Sequence, residues 1–161
     1  MKKRDSVIEL HGLKSPEMAD WVRRLMMQDS VNYIRVNEIL EQYGWLGTDV
    51  ITESASTALW LVIQHADRNV TGQEKWLPVM REAVKAGKAK PGNLAYLEDR
   101  VLKNNGKPQR FGSQLYEDPS TGALLLYPVE DPDNLDARRK SMGLGPIQAY
   151  LDQVGAKISE K

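Results

Sequence analysis

The stretch Ala58-Leu59-Trp60-Leu61-Val62-Ile63-Gln64-His65-Ala66-Asp67 decides how this chain is read. Its first six residues form the longest uninterrupted apolar run in the sequence. That is far short of the ~20 residues a membrane-spanning helix needs. Set after Ser54 and Ser56, either of which can cap it, the run predicts a helix that is apolar all round and therefore central to a core. Where it ends stand Gln64, His65 and Asp67. A polar group carried indoors must find a partner, with roughly 1–3 kcal/mol at stake for each one left unsatisfied. This polar tip is therefore a candidate site as well as a helix end.

Upstream, Ser15-Pro16-Glu17 supplies an N-cap, a proline at the first helical position and an acidic first turn. Met18, Trp21, Val22, Leu25 and Met26 then recur at helical spacing, which predicts a helix over about 17–28. Ile34, Val36, Ile39, Leu40 and Tyr43 continue the pattern to Gly44, either as a second helix capped by Ser30 or as one unbroken helix. Downstream, Gln73–Ala86 places Trp76, Leu77, Met80, Ala83 and Val84 on one face, with Pro78 expected near the first turn. Asn93 is expected to cap a helix carrying Leu94, Leu97, Val101 and Leu102, which stops at Asn104-Asn105-Gly106.

Beyond Gly106 the period shortens. Phe111–Tyr116 and Leu124–Val129 flank Asp118-Pro119-Ser120-Thr121-Gly122 and predict a hairpin. Asp131-Pro132 opens a short polar helix through Arg138 and Arg139, Gly143–Pro146 breaks it, Ile147–Val154 forms a last turn or two, and 155–161 is expected to fray. The fold class is mainly α with one small β-hairpin (α+β), a compact helical core in a single domain over 1–161.

Composition narrows the function classes. Lysine plus arginine (22) balances aspartate plus glutamate (22), so the field that announces nucleic acid or an anionic membrane is missing. With no cysteine there is no disulfide, thiolate nucleophile or thiolate metal site. Two histidines, His11 and His65, without HxH or HExxH spacing, give no expectation of a metal, and no Walker loop or GxGxxG announces a nucleotide cofactor. Ser54, Ser56 and Ser113 are candidates for a serine nucleophile, but GxSxG is absent. Asp5 and Glu9 interrupt what would be the apolar part of a secretory signal, so the expected location is cytoplasmic.

The residues able to carry chemistry fall in four places. Ala58, Leu61, Val62 and His65 share a helical face, which points His65 inward or at a cleft, either as a satisfied core histidine or as a ligand-contacting acid or base. Tyr96, Asp99 and Arg100 lie at i, i+3 and i+4, placing a phenol, a carboxylate and a guanidinium on adjoining parts of one helix. The plain alternative is a solvated face shared with Glu98 and Lys103. In Gln109-Arg110-Phe111-Gly112-Ser113-Gln114, strand alternation turns Gln109, Phe111 and Ser113 one way and Arg110, Gly112 and Gln114 the other. Two amides there suit orientation of a ligand, or satisfaction of backbone groups at a hairpin base, because neither titrates. Arg138-Arg139 after Asp131, Asp133 and Asp136 is a dipole-matched helix, with an anion site at Arg139 as the lesser reading.

Taken together, Gly44-Trp45, Trp60–Asp67, Ala95–Val101 and Pro108–Gln114 resemble, in order and spacing, the GW, QHAD, YLxDR and QxxGxQ marks of an uncharacterised bacterial single-domain family, from about residue 29 to 150. Phe111 and Ser113 stand where that family typically has YGT, and Leu46 where a proline usually follows GW. The resemblance implies that Gln64, His65, Asp67, Asp99, Arg100, Gln109 and Gln114 gather around one place, and it implies no established activity.

The expectation from these residues is a small hydrolase or lyase acting on a polar or anionic substrate. His65, Asp67 and Asp99 are its catalytic candidates, and Gln64, Tyr96, Arg100, Gln109 and Gln114 bind substrate. A second expectation is a non-catalytic binding or immunity module that holds a peptide or protein partner, favoured by an exposed patch of Trp21, Trp45 and Trp76. A third is a purely structural hydrogen-bond network.

Overall fold

The computed structural model describes residues 2–12 and 14–158, and the side chains of residues 6, 8–12 and 14–158. Its regular structure is mainly helical with one hairpin, as the periodicity predicts. Helix α1 (Lys2–His11) has no apolar period to announce it, and its Leu10 stays exposed. The two predicted sets that follow belong to one helix, α2 (Pro16–Tyr43), in which Ser15 accepts the Met18 N–H (3.1 Å) and Ser30 is an interior residue, not a cap. Only Val36 and Leu40 of α2 are buried; Met27, Val31 and Ile34 in its middle lie open.

Three helices follow, each with a different start from the one expected. Helix α3 (Glu53–Gln64) is capped by Thr52, whose hydroxyl accepts the Ala55 N–H (3.2 Å). Helix α4 (Val70–Lys85) begins at Asn69, whose side chain accepts the Gly72 N–H (2.9 Å). Pro78 therefore falls mid-helix, not near the first turn, and is tolerated because it is exposed and the carbonyl left without a donor has water at hand. Helix α5 (Pro91–Asn104) starts with Pro91 at its first turn, two residues before the expected Asn93 cap.

These helices pack Val36 and Leu40 of α2, Leu59 and Ile63 of α3, Trp76, Leu77 and Met80 of α4, and Leu94, Leu97 and Val101 of α5 around Trp45. Fully burying one such side chain contributes about 1.5–3 kcal/mol. Helix α3 is not apolar on every side of its environment: Ala58, Leu61 and His65 face solvent, whereas Leu59, Ile63 and Gln64 face the core. In an all-apolar run the period is silent about which face turns inward, and the face expected to be inner is the outer one.

Strands β1 (Leu115–Glu117) and β2 (Leu124–Leu126) pair antiparallel, Leu115 opposite Leu126 and Glu117 opposite Leu124. Both are shorter than expected, because 109–114 is an irregular buried loop in which Gly112 takes φ +65°. A Cβ at Gly112 would sit 3.0 Å from Ile147 Cδ1, so a side chain there meets both a backbone penalty and a crowded neighbour. A single 3₁₀ turn (Pro132–Asn134) leads into α6 (Leu135–Ser141), and α7 (Ile147–Val154) closes at Gly155. The tail does not fray at once: Ala156 is buried, and Lys157 exchanges backbone bonds with Leu124 and Leu126 (2.9 and 2.8 Å), lying parallel to β2. Residues 159–161 of the expected frayed tail lie outside the described residues. Among the described residues no helix is long and apolar enough to cross a membrane.

Candidate functional site

The polar tip of α3 is a junction of three helices. Helix ends leave carbonyls without intrahelical partners, and here the Gln73 amide of α4, fully buried, donates to the carbonyls of Ile63 (3.2 Å) and Gln64 (3.1 Å). Gln73 Oε1 in turn accepts from Asn104 Nδ2 (3.0 Å), which also reaches Asp67 Oδ1 (3.3 Å). Asp67 takes both of its oxygens to Arg100 Nη1 (3.1 and 2.9 Å). Arg100 is largely buried and Asp67 about half exposed, which makes this a partly desolvated pair. His65, by contrast, caps α3 with an exposed side chain that makes no hydrogen bond to any described residue. The inward orientation expected of it is not the observed one.

Asp99 sits with no exposure on the far side of α5. Its oxygens accept the backbone N–H groups of Arg110 (2.7 Å), Phe111 (3.0 and 3.2 Å) and Ser113 (2.9 Å). Burial pushes its carboxyl above the ordinary carboxylate range, against the pull of the Ser113, Phe111 and Arg110 donors. Gln109, equally buried, closes the same loop: its Oε1 accepts the Gln114 N–H (2.7 Å) and its Nε2 donates to the carbonyls of Gln114 (3.0 Å) and Tyr127 (2.7 Å). Gln114 is buried, with its Nε2 on Ser113 Oγ (2.9 Å). The alternation expected of 109–114 does not hold, since Gln109 and Phe111 through Gln114 are all buried.

Between these two networks Tyr96 of α5 lies beside Tyr150 of α7, within the reach of the Arg100 charge. Tyr150 Oη donates to the Ser113 carbonyl (3.1 Å). Burial pushes the Tyr150 phenol above its ordinary value, the Tyr96 phenol beside it adds to this, and the charges of Arg139 and Arg100 oppose it. Arg139 is buried without a carboxylate partner; it donates to the carbonyls of Phe111 (2.6 Å) and Gly145 (2.7 Å) and lies over the Tyr150 ring (5.4 Å). Burial lowers its guanidinium from the ordinary arginine value, against the negative character of Tyr96, Asp136, Tyr150 and Asp99. Gln64 donates to the Tyr96 carbonyl (3.2 Å), yet Gln64 Oε1 and Arg100 Nε are buried with no partner. An acceptor and a donor thus remain open beside two partly exposed phenols, a setting suited to holding a polar or anionic group.

The structure joins Gln64 to the Tyr96 carbonyl, sets Arg100 one turn further along the same helix and ties it to Asp67, and holds Asp99, Gln109 and Gln114 in the adjoining loop network. Gln73, Asn104, Ser113, Arg139 and Tyr150 complete the arrangement and were not read as members of it. A signal for Gln73 was present, because it precedes Trp76, Leu77 and Met80 at three, four and seven residues and so lies on the buried face of α4. Glu98 corrects the solvated-face reading: it is buried and bridges Arg81 (3.2 Å) and Arg110 (2.9 Å). The exposed tryptophan patch is also absent, since Trp45 and Trp76 are buried. Among the described residues no three His, Cys, Asp or Glu side chains converge as a metal site.

No curated protein and no solved structure matches this chain. A family model described as a family of unknown function (DUF6624) matches residues 4–158. The match reaches well beyond the 29–150 span of the motif resemblance and takes in most of α1 and all of α2. With nearly its whole length covered, the chain belongs to this family of unknown function.

Proposed function

We propose that this chain binds a small polar or anionic molecule where Gln64, Tyr96, Arg100 and Tyr150 meet, and acts on it as a hydrolase or lyase. The observation that carries the reading is the pair of buried, unpartnered atoms Gln64 Oε1 and Arg100 Nε next to partly exposed Tyr96. Leaving such groups unmatched costs roughly 1–3 kcal/mol each, a cost that a ligand offering both a donor and an acceptor removes. In this reading Arg100, held by Asp67, fixes the anionic group, Tyr96 supplies a proton, and His65, exposed at the end of α3, serves as the second acid or base. Asp99, Gln109 and Gln114 act through the loop they hold. The motif resemblance supports a bacterial source, and the acidic interruptions Asp5 and Glu9 support the proposal of a cytoplasmic setting.

The test is a thermal-shift panel of small carboxylates, phosphates and amides against the parent and Arg100→Gln, followed by turnover assays on whatever binds. The reading expects a compound that stabilises the parent and not the variant.

A second reading, a non-catalytic binding module, is favoured by one observation: no carboxylate orients His65, because Asp67 is engaged by Arg100 and Asn104 and Asp99 by backbone N–H groups. It expects Tyr96→Phe and His65→Gln to keep ligand binding with no turnover in the parent. If nothing binds and Arg100→Gln only lowers stability, the polar set is an internal network.

A further inference from the structure

A cleft of about 100 Å³ opens between the Trp45 turn, α3 and the start of α5, with Trp60 in its lining. Two indoles line it. Trp45 is 5% exposed as a whole residue, and the Trp60 N–H is buried with no hydrogen-bond partner among the described residues. Trp76 shows the contrast, since it donates to Asn37 Oδ1 (3.1 Å). A buried indole N–H ordinarily finds an acceptor, so the open one of Trp60, a residue lining this cleft, points to an acceptor supplied from outside.

The rest of the lining leans the same way. Lys88, Lys90 and Asn93 stand at the rim, where α5 begins without a side-chain cap and leaves its first N–H groups available. Glu53 is the one acidic residue lining the cleft, and it already holds the Lys90 ammonium; Lys88 lies 3.9 Å from Asp49 outside it. The lining thus carries two lysines against one carboxylate, and two of its walls are indoles. An apolar cavity of about 150 Å³ accepts benzene, so this smaller, open one takes part of a ring or a short chain with its polar end at the mouth.

We infer that this cleft is a second binding site, for a small carboxylate carrying a flat or short apolar body. The carboxylate meets Lys90 and the start of α5 beside the Trp60 N–H, while the body lies between Trp45 and Trp60.

The experiment uses benzoate, with benzamide as its neutral counterpart, titrated into the full chain while the indole N–H resonances are followed by NMR and assigned with Trp45→Phe and Trp60→Phe. Benzoate is expected to move the Trp45 and Trp60 signals saturably, with a dissociation constant of about 1 mM or below, and benzamide is not. Lys90→Gln weakens binding about tenfold. Glu53→Gln, by releasing Lys90, strengthens it, and Arg100→Gln leaves it unchanged, which keeps this site separable from the one proposed above. Absence of saturable shifts, equal shifts from benzamide, or weaker benzoate binding in Glu53→Gln would overturn the inference.

Discussion

Asp99 and Arg139 grip opposite poles of one peptide loop. The carboxylate accepts the N–H groups of Arg110, Phe111 and Ser113, while the guanidinium donates to the carbonyls of Phe111 and Gly112 (2.6 and 3.4 Å). Arg138 adds a bond from its Nε to the Arg110 carbonyl (2.9 Å). A buried loop of 109–114 has no ladder partners for most of its backbone, and these side chains take the place of one. Asp99→Asn puts an amide donor against backbone donors, and a loss of about 2–3 kcal/mol in urea unfolding is expected.

The pH dependence of that contact has a definite sign. Because burial raises the Asp99 carboxyl in the folded chain, the folded state holds this proton more tightly than the unfolded one. Its contribution is therefore fully present below the ordinary carboxylate value of about 3.9 and is lost as pH rises through the raised one. The stability difference between parent and Asp99→Asn should fall with rising pH across that window. A difference that grows would mean that the N–H donors outweigh burial.

Arg139→Lys tests the other pole. Lysine keeps the charge but has no planar fork to reach Gly145 and Phe111 together, so a loss of about 2 kcal/mol is expected despite the conservative charge. Hydrogen exchange at 110–114 should accelerate with it. Retained protection there would remove Arg139 from the clamp.

Gln73→Leu keeps the volume roughly and deletes the cap on α3. The carbonyls of Ile63 and Gln64 and the Asn104 amide then lose a partner, and about 2–3 kcal/mol of stability is expected to go with them. His65→Gln, at an exposed position without contacts, should change stability by no more than about 0.5 kcal/mol. A larger loss would place His65 in the network after all.

How much of this was legible in the sequence depended on what each residue competes with. Helical periods at Trp76–Val84 and Leu94–Leu102 gave their helices and most of the core, because an amphipathic pattern states which face is inner; the period at Met18–Met26 gave a helix but no core, since Leu25 and Met26 are exposed. Ala58–Ile63 gave a helix but not its orientation, and His65 was assigned the wrong face as a result. Caps at Thr52 and Asn69 were missed in favour of nearer serines or later starts, since many residues can satisfy the same terminal N–H groups. Gln64, Tyr96 and Arg100 stood out because polar residues beside an apolar stripe are conspicuous. Arg139 and Tyr150 were not, because their meeting with α5 depends on how α6 and α7 fold back, which no local spacing records.

The most direct measurement is the melting temperature of the parent and of Arg100→Gln across a panel of small anions and polar metabolites. At least one compound is expected to raise the parent by several degrees when present at about a hundred times its dissociation constant, and to leave Arg100→Gln in place. No shift in the parent from any member of the panel, or equal shifts in both proteins, would contradict a ligand site at Gln64, Tyr96 and Arg100.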